Sequence, residues 1–297
     1  MSKRIIVLAG GGAHGITQLV ALAKLESIVG PLYNYYDLMM GTSVGAINAA
    51  AIASGKITAN NLLALYPSWL DIIFKKSWNP FQVPKYNRQN FINIWSKQFG
   101  TMKMKDVKTK LVITSVDACQ DKNNYFKSYE DEDGQEDLMT VVMRSFAAPF
   151  FFGQIVDDVN KKVWYDGGVG GNNFPVSNAF TESIILNWFP NEEVTFDVFG
   201  TGYTDDSTPF DTAKKANWFG QVWNFMNIGD GGLARLQSRE DQIDKMTIMA
   251  QSNSNIKFNY WDVQIDKKYD GLDNIGCKAQ LIAYGETMAK APLISIG

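Results

Sequence analysis

Residues 38–54 read LMMGTSVGAINAAAIAS: a short apolar run, a Gly-x-Ser-x-Gly turn and an alanine-rich run. The apolar run predicts a short buried strand, and the alanine-rich run predicts a buried helix. Gly41 and Gly45 flank Ser43 in the turn, where larger side chains would clash. This setting is typical of a nucleophile elbow, with the serine at a helix N-terminus that favours negative charge. Ser43 is therefore the predicted nucleophile; the alternative is a serine helix cap between two packing glycines.

A second glycine-rich turn, GGGAHG, occupies residues 10–15 after a β-branched run. Its spacing fits a dinucleotide-binding turn, which also needs a second strand that ends in an acidic residue about 20 positions on. No such strand is present, because Asp37 precedes its strand. Successive glycines also expose backbone N–H groups, which an oxyanion hole needs about 3 Å from the substrate oxygen. Gly10, Gly11 and Gly12 are therefore predicted oxyanion-hole residues, and a tight turn without a ligand is the alternative.

The general base is harder to find, because the chain contains a single histidine, His14. A Ser-His-Asp triad would have to use it, but the base of such hydrolases usually comes late in the chain. Two Asp-Gly-Gly triplets begin at Asp166 and Asp230. Asp166 follows a strand whose end we expect at the same edge of a parallel sheet as Ser43, whereas Asp230 follows a helix end. A desolvated carboxylate can accept the serine proton directly, so Asp166 is the predicted base.

The amino-acid composition limits the classes of protein to which the chain can belong. The 297 residues are 45% hydrophobic and 20% charged, which excludes a disordered or fibrous protein. The net charge of −3 argues against a nucleic-acid partner, and two cysteines fit neither a disulfide scaffold nor a metal site. The first apolar run is too short for a secretory signal, and no run is long enough to span a membrane. We expect a cytoplasmic protein, one that is membrane-associated, or one that is delivered to another cell.

Strand-like and helix-like runs alternate along the chain, which predicts an α/β fold with a largely parallel sheet. The predicted strands are Ile5–Ala9, Leu38–Met40, Lys110–Val116, Tyr125–Tyr129, Lys162–Tyr165, Ser183–Leu186, Thr195–Gly200 and Phe258–Ile265. The predicted helices are Thr17–Ser27, Val44–Ser54, most of 58–105 and Leu138–Ser145. We expect one domain over residues 1–297, with a core of about 1–204 and a helical, aromatic-rich C-terminal elaboration over about 205–297.

Four blocks, in order, resemble the patatin-like phospholipase family. They are the glycine turn at 10–15, the serine turn at 41–45, SFAAPFFF at 145–152, and the Asp-Gly-Gly triplet at 166–168 with the following NFP. The blocks span about two-thirds of the chain, and the ordered set is specific although each block alone is weak. Two departures stand out. The family usually has Arg or Lys at the position of His14, and the segment after the triplet is one residue longer here.

The resemblance implies a three-layer α/β/α fold and a Ser43–Asp166 dyad. Such enzymes cleave fatty-acyl esters of phospholipids through an acyl-serine intermediate. They use no metal and no cofactor, and their partner is a lipid ester, usually in a membrane. The alternatives are a serine esterase or thioesterase that acts on other substrates with the same dyad, and a catalytically silent scaffold protein.

Two aromatic segments are considered for contact with a membrane. Trp69–Trp78 mixes aromatic residues with adjacent lysines, and Trp218–Met226 places apolar residues on one face of a helix. An aromatic stripe at helical spacing is more often part of a protein core, so packing is the favoured interpretation of each segment taken alone.

Overall fold

The computed structural model describes residues 2–76, 83–204 and 239–297. Its strands form one nine-stranded sheet in the order β5-β6-β3-β2-β1-β7-β8-β9, with β4 paired to β3 off this path. The strands are β1 Lys3–Leu8, β2 Leu38–Gly41, β3 Lys110–Asp117, β4 Lys122–Lys127, β5 Ile155–Asp157, β6 Lys162–Asp166, β7 Val194–Phe199, β8 Ile256–Trp261 and β9 Ile294–Ile296. Strands β3, β2, β1, β7 and β8 run parallel, and the other four pair antiparallel with their neighbours.

Helices cover both faces of this sheet. They are α1 Gly15–Val29, α2 Leu32–Tyr35, α3 Val44–Ala53, α4 Ala59–Ile73, α5 Gln89–Phe99, α6 Asp131–Gly134, α7 Leu138–Ser145, α8 Val176–Ile185, α9 Arg239–Ser252 and α10 Lys278–Met288. Ile6 and Leu8 of β1 pack on the side of α1, α3, α4, α5, α7 and α10, whereas Ile5 and Val7 pack with α8 and α9. The alternation along β1 confirms the predicted three-layer α/β/α fold. Among the described helices, none has the length and apolar character that crossing a bilayer requires.

The predicted strands are confirmed, with shifted ends, except for Ser183–Leu186. This prediction is wrong, because α8 extends to Ile185. Val176, Ala179 and Ser183 are buried at helical spacing, and the two isoleucines that suggested a strand lie on the exposed side. The short strands β5 and β9 have no counterpart among the predictions. The C-terminal region adds β8 and β9 to the same sheet, and the division at about residue 204 stays a prediction.

One edge of β3 brings two strand ends together. β2 pairs in parallel with residues 110–113 of β3, and β6 pairs antiparallel with residues 115–117. Because β4 occupies the opposite edge of β3 over residues 112–117, β2 and β6 must share one edge. The two strands therefore run toward each other, and their last residues, Gly41 and Asp166, pair only two positions apart, with Ile113 and Ser115.

A buried carboxylate fixes the start of α4. Glu26 accepts hydrogen bonds from the backbone N–H groups of Ala59 at 3.0 Å and Asn60 at 2.9 Å. The Asn60 side chain adds a bond of 2.9 Å, and the Thr58 hydroxyl accepts from the next free N–H group. Helix N-termini leave such donors unsatisfied and carry partial positive charge, so a carboxylate here stabilises the helix.

We expect Glu26→Ala to lower the free energy of unfolding by about 2–4 kcal/mol, since it removes charge-assisted bonds to buried donors. Urea unfolding followed by circular dichroism would measure the change. The exposed Glu286 on α10 provides the control, and Glu286→Ala should change stability by less than about 0.5 kcal/mol. Equal stability of the two variants would contradict the capping role of Glu26.

Candidate active site

Ser43 sits in a strained turn between β2 and α3, with φ 55° and ψ −122°. A side chain at Gly41 would place its Cβ 2.4 Å from the carbonyl oxygen of Gly45. A Cβ at Gly45 would lie 2.2 Å from the carbonyl oxygen of Leu8 in β1. Only glycine therefore fits on either side of the serine. A positive φ at a non-glycine residue costs roughly 1–3 kcal/mol and persists where the surrounding structure enforces it.

The backbone N–H of Ser43 donates to the hydroxyl of Ser145 at 2.9 Å, which ties the elbow to the end of α7. The next N–H, that of Val44, opens α3 and has no acceptor in the part of the chain that the structure describes. In a nucleophile elbow, this N–H belongs to the oxyanion hole. Sequence reasoning missed Val44, although the Gly-x-Ser-x-Gly motif itself carries the signal.

The structure brings Asp166 beside Ser43. The carboxylate is buried and accepts a hydrogen bond from the Gly168 N–H at 2.8 Å. Burial raises the pKa of Asp166 to about 6, and the hydrogen-bond donors of Gly168 and Ser43 oppose that rise. Asp230, the rejected candidate, lies outside the described residues.

Asp166 does not lie where the sequence predicted, at the C-terminal edge of a set of parallel strands. β6, which ends at Asp166, runs antiparallel to β3. Asp166 reaches Ser43 because β6 approaches the end of β2 head-on along the shared edge of β3.

Hydrogen bonds join the three loops of the site. The Thr42 hydroxyl donates to the carbonyl oxygen of Asn172 at 2.6 Å and lies 2.7 Å from the hydroxyl of Thr114 on β3. The Gly10 N–H donates to the carbonyl oxygen of Asn173 at 3.1 Å. The serine turn, the segment after Asp166 and the glycine turn are therefore held together by buried polar contacts, which are effective at fixing a unique geometry.

The bond to Asn173 corrects the prediction for Gly10, whose N–H is already engaged and is not free to serve an oxyanion. Within the described residues, the N–H groups of Gly11 and Gly12 have no acceptor. Gly12 adopts φ +55°, and a Cβ there would lie 2.3 Å from the carbonyl oxygen of Leu272. Gly11 and Gly12 therefore remain the candidate donors in this turn.

His14 is buried and bonds to the backbone of the loop before α10. Its Nε2 atom lies 3.0 Å from the carbonyl oxygen of Tyr269, and the carbonyl of Gly271 is close enough to affect the pKa of the ring. Burial lowers the pKa of His14, which disfavours the charged imidazolium, whereas these carbonyls raise it to a lesser extent. The histidine thus ties the glycine turn to the loop before α10.

An apolar pocket opens beside Ser43. Its walls are formed by the glycine turn, the start of α3, one face of α4, and aromatic residues from α5 and the segment after α7. The lining residues are Gly12, Ser43, Val44, Ile47, Tyr66, Trp69, Leu70, Ile73, Phe74, Phe91, Phe146 and Phe152. The 145–152 block therefore contributes both to the elbow, through Ser145, and to the pocket wall.

The pocket also shows how part of the Trp69–Trp78 segment, which was considered for membrane contact, is packed. The wall of the pocket buries four residues of the first segment, Trp69, Leu70, Ile73 and Phe74. For these residues the hypothesis of membrane contact is wrong, and the packing interpretation is confirmed. Ser77 and Trp78 lie outside the described residues. The second segment, Trp218–Met226, also lies outside them.

Comparisons with known proteins agree with the four blocks. A cGAMP-activated phospholipase of Pseudomonas aeruginosa is 26% identical over 179 residues, which are 57% of this chain and 53% of that protein. A cUMP-AMP-activated phospholipase of Escherichia coli is 47% identical over 64 residues, 21% of this chain and 20% of that protein. The chain spans about half the length of the cGAMP-activated relatives it matches.

Among solved structures, VipD from Legionella pneumophila aligns with a TM-score of 0.41 and 13% identity, over 95% of this chain and 67% of that one. The model of the patatin-like phospholipase family matches residues 6–180. This match covers more than half of the chain and includes the glycine turn, the serine elbow and the Asp-Gly-Gly triplet. With the glycine turn and the serine elbow lining one pocket and the triplet meeting the elbow at the edge of β3, the chain belongs to the patatin-like phospholipase family.

Proposed function

We propose that this protein is a lipid acyl hydrolase that cleaves fatty-acyl ester bonds of phospholipids through an acyl-serine intermediate. The observation that carries the proposal is that the ends of β2 and β6 bring the buried Asp166 carboxylate beside Ser43, which lines an apolar pocket. The names of the relatives, which are phospholipases, support the same substrate class.

In the proposed reaction, the Ser43 oxygen attacks the ester carbonyl while its proton passes to the Asp166 carboxylate. The protonated carboxyl then gives this proton to the departing alcohol, which leaves an acyl group on Ser43. Water attacks the acyl-enzyme in the second half, with Asp166 again accepting and returning a proton. A carboxylate with a pKa near 6 suits proton transfer both from Ser43 and to the departing alcohol. It is mostly ionised at neutral pH, and it is a better proton acceptor than an ordinary carboxylate.

The free backbone N–H groups of Gly11, Gly12 and Val44 are the proposed donors to the oxyanion of the tetrahedral intermediate. They lie on the glycine turn and at the first position of α3, whose N-terminus adds a favourable partial charge. One such donor typically contributes about 2.7–4 kcal/mol of transition-state stabilisation.

The pocket beside Ser43 is the proposed site of the acyl chain. Apart from Ser43 and the hydroxyl of Tyr66, its side chains are aliphatic or aromatic, which suits a hydrocarbon chain and excludes a charged acyl group. Each buried CH₂ group contributes about 0.8 kcal/mol, so chain length should affect binding until the pocket is filled.

Phe150 is the proposed point of contact with a lipid surface. Its side chain is 75% exposed. Phe152, two positions further along the chain, lies in the pocket wall, so Phe150 is close to the pocket. Val83, also exposed, lies two positions before Lys85, whose N–H donates to the Phe150 carbonyl at 2.7 Å. Exposed aromatic residues near a pocket of this kind favour an interfacial position, from which an acyl chain could leave the membrane.

We expect Ser43→Ala to abolish fatty-acid release from phosphatidylcholine vesicles, measured by mass spectrometry of the lipid products, because the nucleophile is lost. Stability should change little, since alanine keeps the backbone of the turn. Ser68→Ala, at an exposed position on α4, is the control and should retain wild-type turnover. Substantial fatty-acid release by well-folded Ser43→Ala would contradict the proposed mechanism, whereas an inactive wild type would favour a silent scaffold.

Asp166→Asn should abolish turnover and also stabilise the fold at high pH. The folded-state pKa of about 6 lies above the ordinary value of 3.8, so the folded protein holds this proton more tightly than the unfolded chain. The wild type therefore loses stability as the pH rises from about 4 to about 6, by roughly 3 kcal/mol in all. Urea unfolding should show the variant more stable than the wild type at pH 8, and the advantage should vanish at pH 4. A variant that is less stable at pH 8 would contradict the buried-charge argument.

Phe150→Asp should weaken binding to phosphatidylcholine vesicles by roughly 10- to 150-fold, because a buried phenylalanine contributes about 1.5–3 kcal/mol. Co-sedimentation with vesicles would measure the binding. Turnover of a soluble short-chain ester would show whether the active site of the variant is intact. Ile28→Asp is the matched control, because Ile28 is equally exposed, at 75%, but lies at the far end of α1 from the glycine turn. Equal binding by the two variants would contradict the proposed contact.

A further inference from the structure

Tyr66 is a buried residue of the pocket wall whose hydroxyl has no partner in the described part of the chain. The side chain is 3% exposed. Burial alone raises the pKa of Tyr66, with no hydrogen bond contributing to the shift. The phenol therefore stays protonated at any working pH, and its hydroxyl can act as a donor but not as a base.

The other fully enclosed tyrosines behave differently. The hydroxyls of Tyr36, Tyr86 and Tyr260 donate to the carboxylates of Asp197, Asp273 and Asp262. The Tyr66 hydroxyl has no such partner among the described residues, and its oxygen is not one of the sealed, unpaired polar atoms of the interior. It is therefore open to the pocket that the residue lines, where a bound molecule can accept its hydrogen bond.

The position of this hydroxyl is close to the serine elbow. A Cβ at Gly15 would lie 2.9 Å from the Tyr66 hydroxyl oxygen and 2.2 Å from a methyl group of Val44. The hydroxyl therefore lies beside the start of α1 and near Val44, the residue that follows Ser43. It belongs to the catalytic end of the pocket and not to its far wall.

We propose that the Tyr66 hydroxyl donates a hydrogen bond to an oxygen atom of the ester group of the bound acyl substrate. This inference rests on the function proposed above. A plain acyl chain brings no acceptor into the pocket other than its ester oxygens, so only the ester can satisfy this donor. The same bond sets how deeply the chain enters before its carbonyl carbon reaches Ser43.

The test compares Tyr66→Phe with wild type in turnover of a soluble short-chain ester and in thermal unfolding. We expect kcat/KM to fall by about 3- to 10-fold, the range for a lost neutral hydrogen bond, while Tm stays the same or rises. Tyr36→Phe is the matched control, because Tyr36 is also 3% exposed but bonds to Asp197 at 2.9 Å. It should lower Tm and leave kcat/KM unchanged.

Unchanged kcat/KM in Tyr66→Phe would overturn the inference while leaving the proposed function intact. A clear fall in Tm would also overturn it, because the hydroxyl would then have a partner within the protein. A wild type that is folded but inactive on every ester would instead contradict the proposed function itself, so the two failures are distinguishable.

Discussion

The position of the buried Asp166 carboxylate beside the Ser43 hydroxyl depends on how two strands share one edge of β3. β2 ends at the serine turn, and β6 arrives from the opposite direction and ends at the aspartate. This arrangement makes the contact a property of the sheet, which is the most rigid part of the fold. The surrounding loops, joined by Thr42, Asn172 and Asn173, refine a geometry that the strands already impose.

The same arrangement has a cost in stability. A carboxylate that is buried beside a hydroxyl, with no cation bonded to it among the described residues, is held at a raised pKa, and a serine with positive φ is strained. Both features would be unfavourable in a protein selected only for stability. The pocket adds the Tyr66 hydroxyl, which has no partner within the described part of the protein. The concentration of these features around one apolar pocket is typical of a site that binds a substrate and carries out a reaction.

Local patterns predict much of the local structure of the candidate site. The strand, glycine turn and helix around Ser43 follow from neighbouring residues, and so does the position of Asp166 at a strand end. The antiparallel direction of β6 could not be predicted, because it depends on which edge of β3 is free once β4 has paired. The engaged N–H of Gly10 depends on Asn173, far along the chain. The aromatic stripe of α4 fits either a membrane or a pocket, and only the packing of α5 and the 145–152 block decides between them.

The role of Asp166 as the base for Ser43 is tested most directly by the rate at which a fluorophosphonate modifies Ser43 as a function of pH. Only the ionised carboxylate can accept the serine proton, so the wild-type rate should rise with pH through a midpoint near 6 and then level off. In Asp166→Asn the rate should be about 100- to 10,000-fold lower and lose that transition. Modification of folded Asp166→Asn at the wild-type rate, with the same pH profile, would contradict the account.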